Sequence, residues 1–369
     1  MSTKTVLLTG ARAPATLDLA RSFYQLGYRV ICVDSLGCAL SRYSKAVTRF
    51  EKIASPVEHF STFASDLQRI VKEENVGLLI PMCEEVLYVA QLKEKLNCSV
   101  FCPTFEEVEA LHNKWSFYEM VKKYSPKTEL LSARTLQPPY VVKPIYSRFA
   151  AQLEIVKKNR EIENDPVNPK IAQSYVEGTS FCSYSVVISG KVLAHGAYEV
   201  LHSIGVGSAV SMKSIDDTEI EKFVSDFVQK RRYTGQIAFD FIRSSQKLYV
   251  IECNPRATSG VHLFKCNPKL AKAFLGEGFL KADIGSIYQE PLTMMWHGFK
   301  QKEIFYKRFW KHLFKGKNIL LGVFDFGPLF ALPLILFEVV KLTLFRKKKF
   351  SEALSEDVEY NGEALCELL

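Results

Sequence analysis

Ile237-Ala-Phe-Asp-Phe-Ile-Arg243 and, after Ser244-Ser-Gln-Lys247, Leu248-Tyr-Val-Ile-Glu-Cys-Asn-Pro-Arg256 form the stretch that decides the fold. Both runs are rich in β-branched and aromatic residues, and the four residues between them are polar, which predicts a β-hairpin with paired strands. Side chains two apart on a strand share a face, so Glu252 and Asn254 converge, and Asp240 on the paired strand completes a cluster of hard oxygen ligands. Magnesium favours such ligands and fills its shell with water and substrate phosphates. Arg256 lies two residues further along the same face and adds a permanent charge where negative charge builds during phosphoryl transfer. A merely solvated hairpin does not explain this set, because acids are depleted in strands and costly within apolar runs.

Upstream, the first hundred residues alternate strand and helix. The pattern predicts strands at Thr5–Thr9, Arg29–Val33 and Val76–Pro81, and helices at Thr16–Leu26, Ser61–Glu74 and Glu84–Leu96. Such βαβ alternation implies a parallel sheet. Gly10 after the first strand invites a dinucleotide-binding reading, but Gly-Ala-Arg-Ala-Pro-Ala lacks the second and third glycines that let a backbone approach pyrophosphate. Tyr118-Glu-Met-Val-Lys122 matches the tyrosine-lysine spacing of a short-chain dehydrogenase, a spacing frequent on helices by chance, and the missing glycines decide against that class.

From Thr104 the character changes. Thr104-Phe-Glu-Glu107 reads as a capping box opening a helix, and Asn113 to Tyr124 continues helically. Short strands follow at Tyr140–Lys143, Lys170–Val176, Ser183–Ile188 and Val192–Tyr198, with Ser189-Gly190 as a turn, Glu161–Pro169 as a loop and a helix at Thr218–Lys230 before the hairpin.

Taken in order and spacing, Lys114, Tyr140-Val-Val-Lys143-Pro144, Gln173-Ser-Tyr-Val-Glu-Gly178 and the Asp240 to Arg256 hairpin resemble the ATP-grasp superfamily, which includes biotin carboxylase and carbamoyl phosphate synthetase. The resemblance covers roughly residues 1 to 265. It implies a mixed α/β and α+β chain: a Rossmann-like preATP-grasp domain (1–103), a two-subdomain ATP-grasp fold (104–290) and a basic, amphipathic C-terminal extension with an acidic tail (291–369).

The same resemblance implies site roles. Lys114 and Lys143 contact the ATP phosphates, Lys143 also serving catalysis, and the Gln173, Ser174, Tyr175, Val176 segment meets the adenine. Ser180 stands where many relatives place a ribose-binding acid. Asp240, Glu252 and Asn254 hold magnesium, with manganese as an alternative, and Arg256 stabilises the acyl phosphate. Two departures stand out. The loop after Lys143, Pro-Ile-Tyr-Ser-Arg-Phe-Ala, lacks the glycines that let backbone amides wrap phosphates, and Gly178-Thr-Ser-Phe lacks the acid.

The activity implied is that of an ATP-dependent ligase. It activates a carboxylate as an acyl phosphate and joins it to an amine, both small molecules, releasing ADP and phosphate. Two other classes stay open: a carboxylase or carbamoyl phosphate-type phosphotransferase, and a nucleotide-binding module without turnover. No Met-Lys-Met biotin-carrier sequence occurs in this chain. His262, His195, His202 and the glycines of Gly205-Val-Gly207 are secondary candidates for the substrate side.

Composition bounds the rest. The chain has 369 residues, 47% hydrophobic, enough for a substantial core. Nine cysteines, an odd number without Cys-x-x-Cys spacing, read as reduced thiols in a cytoplasmic protein. The net charge of +8 is local: Lys300–Lys349 holds twelve basic and three acidic residues, and no basic stripe crosses the main body, which excludes nucleic acid as substrate. This segment is expected to pack on the body and balance the acidic tail Glu352–Leu369. Its lysines beside aromatics also allow a peripheral membrane or carrier-protein contact through 300–350. The apolar run Phe326–Phe337 is too short to span a bilayer and contains Pro328 and Pro333. A homodimer is an allowed assembly.

Overall fold

The computed structural model describes residues 4–147, 153–158, 160–204, 208–322, 324–346 and 355–362. The N-terminal layer runs β1 (Thr5–Leu8), α1 (Pro14–Gln25), β2 (Arg29–Asp34), β3 (Arg49–Lys52), α2 (Phe60–Glu73), β4 (Val76–Ile80), α3 (Glu85–Leu92) and β5 (Ser99–Val100). Its five strands are parallel in the order β3-β2-β1-β4-β5. This order places the topological switch point between β1 and β4, where open α/β sheets present their crevice. Gly10, just past β1, has φ +60°, and a Cβ there would lie 3.1 Å from Glu85 Oε1. A carboxylate therefore occupies the space where a dinucleotide phosphate would need backbone amides.

Next come α4 (Phe105–His112), α5 (Lys114–Val121) and a small antiparallel sheet of β6 (Thr128–Leu130), β7 (Tyr140–Pro144), β8 (Glu154–Val156) and β9 (Lys170–Ser174), in the order β6-β9-β7-β8. Thr104 caps α4 by accepting from the Glu107 N–H, as its spacing predicts. The helix continuing through Asn113 is broken there instead. The Asn113 side chain accepts from the N–H groups of Trp115 and Ser116 and starts a new helix at Lys114.

The main sheet is built from β10 (Thr179–Ile188), β11 (Lys191–Ile204), β12 (Ser208–Ile215), β13 (Gly235–Arg243), β14 (Leu248–Asn254), β15 (Leu280–Lys281), β16 (Ile287–Gln289) and β17 (Lys317–Asn318). Its order is β14-β13-β10-β11-β12-β16-β17, with β15 on β11. The turn between β10 and β11 uses Ser189 and Gly190, both at positive φ, as a tight hairpin requires. α6 (Thr218–Arg231), capped by Asp217, covers one face with Val224 and Val228 beneath Phe239 and Phe241. Burying each such phenylalanine stabilises the sheet by about 2 kcal/mol.

The cores show which parts pack together. α1 lies between the parallel sheet and the main sheet, so Leu17 and Phe23 share one cluster with Tyr184 of the main sheet, Val261 of the short helical turn Ser259–Phe264 and Phe274 of α7 (Pro268–Phe274). The small sheet has a separate cluster of its own, around Leu131, Tyr140, Val142 and Ala172. The chain ends in α8 (Pro291–Lys300), α9 (Lys307–Lys315), α10 (Gly327–Phe330) and α11 (Leu332–Arg346). Among the described residues no helix is long and apolar enough to cross a membrane.

Candidate active site

The predicted hairpin is present: β13 and β14 are antiparallel, Asp240 faces Glu252 directly, and Ala238 faces Asn254. The flanking Phe239, Phe241 and Cys253 point into the core beneath α6, so the alternate residues Asp240, Glu252 and Asn254 are forced onto the opposite face, and a register shift between Asp240 and Phe241 lets Val250 join the same core. Ser244 closes the turn, its N–H donating to the Lys247 carbonyl and its hydroxyl accepting from the Gln246 and Lys247 N–H groups. Asn254 Nδ2 lies 3.4 Å from Asp240 Oδ2, and Arg256 Nη2 donates to Asn254 Oδ1 at 3.2 Å.

Two lysines arrive from other elements. Lys114 starts α5 and Lys143 lies near the end of β7, and both are buried. Lys114 Nζ is 3.7 Å from Glu252 Oε2 and donates to the Ser147 carbonyl at 2.7 Å, fastening the start of the glycine-poor loop. From Arg148 onward that loop lies outside the described residues. Burial lowers the Lys143 ammonium to about 8, with Glu252 and Asp240 opposing the shift and Lys114 adding to it.

The two carboxyls are pushed apart. Burial and the charge of Glu252 raise Asp240, whereas Glu252, despite its own burial, is held low by Lys114 and Lys143. Two like charges in register at a desolvated face suit a bound cation. The donors are two carboxylates and an amide, an oxygen-only set that fits magnesium shared with phosphates. Among the described residues there is no group of three His, Cys, Asp or Glu side chains placed to hold a metal, so this site depends on Asn254 and the ligand's own oxygens.

Sequence reading missed the row that extends this pair across the sheet. Glu252, Asp240, Cys182, Tyr198 and Ser214 are successive cross-strand partners on β14, β13, β10, β11 and β12. The Cys182 thiol bonds to Asp240, and Tyr198 bonds to Cys182 and Thr258. Glu84, after β4, was also missed; its Oε1 lies 3.5 Å from Arg256 Nη2, which joins the switch-point crevice to the hairpin. Arg256 Nε is buried and has no hydrogen-bond partner among the described residues.

At the expected adenine segment, β9 stops at Ser174, two residues before the strand predicted to Val176, because the Tyr175 N–H turns to the Pro139 carbonyl. The Gln173 side chain is buried and its Nε2 donates to Thr128 Oγ1 at 3.0 Å, so it holds β6 to β9. Tyr175 is exposed, and Ser180 is exposed on β10.

The secondary histidines lie elsewhere. His262 is buried with Nδ1 2.6 Å from Asp18 Oδ2, tying the loop after Arg256 to α1. His195, three residues from Tyr198 on the same strand, is on the other face, where it bonds Ser185 and lines a groove of about 690 Å³ with Lys191 and Glu221. His202 pairs with His312 of α9 at 2.9 Å, and Gly205-Val-Gly207 lie outside the described residues.

Residues 111–260 match the family described as the ATP-grasp domain. The carbamoyl phosphate synthase large chain of Clostridium perfringens (strain SM101 / Type A) is 24% identical over 266 residues, covering 61% of this chain and 25% of that protein. The chain thus spans about a quarter of the length of the curated relatives it matches. Among solved structures, N5-carboxyaminoimidazole synthetase from Staphylococcus aureus complexed with ADP has a TM-score of 0.60 at 14% identity, covering 81% of this chain and 86% of that one. L-amino acid ligase from Bacillus licheniformis has a TM-score of 0.56 at 15% identity, covering 71% and 68%. The likeness to these solved structures is one of fold. Over residues 111–260 the chain is thus similar to the ATP-grasp domain.

Proposed function

We propose that the protein is an ATP-dependent ligase that activates a small carboxylate as an acyl phosphate and joins it to an amine. The observation that carries this reading is the convergence of Lys114, Lys143, Asp240, Glu252, Asn254 and Arg256, from α5, β7 and the β13–β14 hairpin, at the junction of two separate cores. A nucleotide held at such a junction would be gripped from both sides. The synthetase from Staphylococcus aureus was solved with ADP, and this likeness supports assigning a nucleotide to the junction here.

The roles follow from position and charge. Lys114 and Lys143 meet the phosphates. The backbone at Tyr175 and Val176, with Ser174, borders the adenine, and Gln173 acts by holding β6 and β9 together. Ser180 lies on the ribose side. Asp240, Glu252 and Asn254 hold magnesium, which when bound would neutralise phosphate charge. In the first step a substrate carboxylate oxygen attacks the γ-phosphorus while the bond to the bridging oxygen of ADP breaks. In the second the amine attacks the acyl carbon, the C–O bond to phosphate breaks with its electron pair on phosphate, and the amine nitrogen loses a proton to the departing phosphate or to water. Arg256, braced by Asn254 and Glu84, faces the charge that develops in both steps. Alignment and charge neutralisation suffice for such chemistry, so no protein nucleophile is required.

The test is ADP release with magnesium against a library of amino acids and small carboxylates, each with and without an amine, for wild type and Glu252→Ala. Stimulation by one acid with one amine, lost in the variant, supports the ligase. Stimulation by bicarbonate alone identifies the carboxylase or carbamoyl phosphate-type reaction. Nucleotide binding without ADP release under any condition identifies a module without turnover. The small-molecule substrates and a homodimeric assembly belong to the same proposal.

A further inference from the structure

Exposed apolar surface is concentrated in one part of this chain. Of twenty-five large apolar side chains exposed among the described residues, sixteen fall between Leu292 and Phe345, under a sixth of the length, so exposed apolar side chains are concentrated in this segment. Each long helix of the segment is two-faced. On α8, Met294 and Gly298 are buried, while Leu292, Trp296, Phe299 and Lys300 face outward at helical spacing. On α9, Phe309 is buried beside His312, and Lys307, Trp310, Lys311 and Phe314 form the outer stripe, with Phe314 80% exposed. On α11, Val339 is buried with Glu338 beside it, and Leu334, Phe337, Lys341, Leu344 and Phe345 lie outward.

The charges of the segment are sorted in the same way. Asp325 turns to the body, its Oδ2 accepting from Arg21 Nε at 2.8 Å and Ser44 Oγ at 2.6 Å, and its Oδ1 from the Lys45 N–H at 3.0 Å. Glu338 accepts from the Gly37 and Cys38 N–H groups at 3.2 and 2.6 Å. The acids whose side chains are described thus serve as anchors to the N-terminal layer, and the outward charges, Lys300, Lys302, Lys307, Arg308, Lys311 and Lys315, are all positive. The segment does pack on the body as expected, and its packing engages Asp325 and Glu338 and leaves the aromatics and lysines of the outer stripes in solvent.

We propose that residues 291–346 form a docking surface for an anionic lipid bilayer, the helices lying in the plane of the headgroups with their aromatics inserted. Aromatic rings at the acyl boundary with lysines at headgroup level are the arrangement of interfacial helices. A second copy fits poorly, because apposing this face with itself brings like charges together. The helices are too short to span, so the contact is peripheral. This inference stands independently of the ligase reading.

The test is co-sedimentation of the full chain with phosphatidylcholine vesicles, with and without about one third phosphatidylserine, at about 50 mM salt, plus quenching of Trp296 and Trp310 by brominated acyl chains. Phe299→Ser with Phe314→Ser removes two exposed rings and keeps both reporters; an unchanged melting curve confirms the fold. The expected result is binding to the phosphatidylserine vesicles with quenching, roughly tenfold weaker to neutral vesicles, at about 0.5 M salt, and in the double variant. Failure to sediment, equal binding to neutral vesicles, or binding and quenching undiminished in the variant overturns the proposal. So does a solution dimer that the double variant dissociates.

Discussion

Arg12 and Asp357 meet fork to fork across nearly the whole chain: Nη1 donates to Oδ1 at 2.7 Å and Nη2 to Oδ2 at 2.8 Å. Asp34 supports the guanidinium from behind, accepting from Arg12 Nε at 2.9 Å and Nη2 at 2.6 Å. The segment around Asp357 is strapped over the carboxyl ends of the parallel sheet. Ser55 Oγ donates to the Asp357 carbonyl, Tyr88 donates to the Glu359 carbonyl, and Tyr360 sits edge-on to Tyr88, Phe105 and Tyr146.

This geometry predicts an order of stabilities. Asp357→Asn leaves Arg12 paired with Asp34, so it is expected to cost about 1–2 kcal/mol. Asp34→Asn is expected to cost about 3 kcal/mol or more, since Asp34 also accepts from the Arg12 and Leu36 N–H groups and the variant leaves the half-buried guanidinium paired with Asp357 but without the charge at position 34. Urea titrations of the two variants measure the order; a larger loss for Asp357→Asn would contradict the placement of Asp34 as the principal partner.

Asp240→Asn sets stability against function. Asp240 opposes Glu252 at a partly buried face and its carboxyl is pushed up by burial and by that neighbour, so removing one charge relieves repulsion. The variant is expected to melt a few degrees higher than wild type while magnesium-dependent ADP release falls at least about a hundredfold. A variant that melts lower shows that the Asp240 charge is compensated in the free protein.

How far the sequence revealed this site depended on whether the relevant contacts are local. The hairpin was legible because a polar turn of four residues joins two apolar runs, and the alternation of Phe239, Asp240, Phe241 fixes which side chains point away from the core. Lys143 was legible because a charge near the end of the apolar strand Tyr140-Val-Val has few structural reasons to be there. The row from Asp240 through Cys182 to Tyr198 was not, because it depends on the register of β10 against β13 and β11, set by the whole sheet. β12 and the extension of β11 to Ile204 were hidden for the same reason. The contact of Gln173 with Thr128 was hidden as well, because it depends on the register of β6 against β9. Asp357 lies in an acidic run without periodicity, which reads as solvated tail until Arg12 is placed beside it.

Lys143 makes nucleotide affinity depend on pH. Burial lowers its ammonium to about 8, so the free protein loses this charge as pH rises through that value, and phosphate binding weakens on the alkaline side. Titration calorimetry of ATP at about pH 7 and pH 9 is expected to show up to roughly tenfold weaker binding at the higher pH, with Lys143→Met weak at both. Equal affinity of the wild type at both values would remove Lys143 from the phosphate site.

His195 gives the fold an acid-sensitive point apart from the hairpin face. Its imidazole is buried on the other side of the main sheet against Ser185, and burial lowers it to about 4. The unfolded chain takes up this proton near pH 6.5 and the folded protein does not until about 4, so stability is intact above 6.5 and falls as pH drops through that window. Between pH 7 and 5 this one group accounts for about 2 kcal/mol. Replacing it with glutamine keeps a polar partner for Ser185 but removes the titration, so the variant should lose about 2 kcal/mol less than wild type over the same interval in urea unfolding. Parallel losses in the two proteins would mean that His195 is protonated in the folded state at pH 5, which requires water or a carboxylate such as Glu221 to reach its ring.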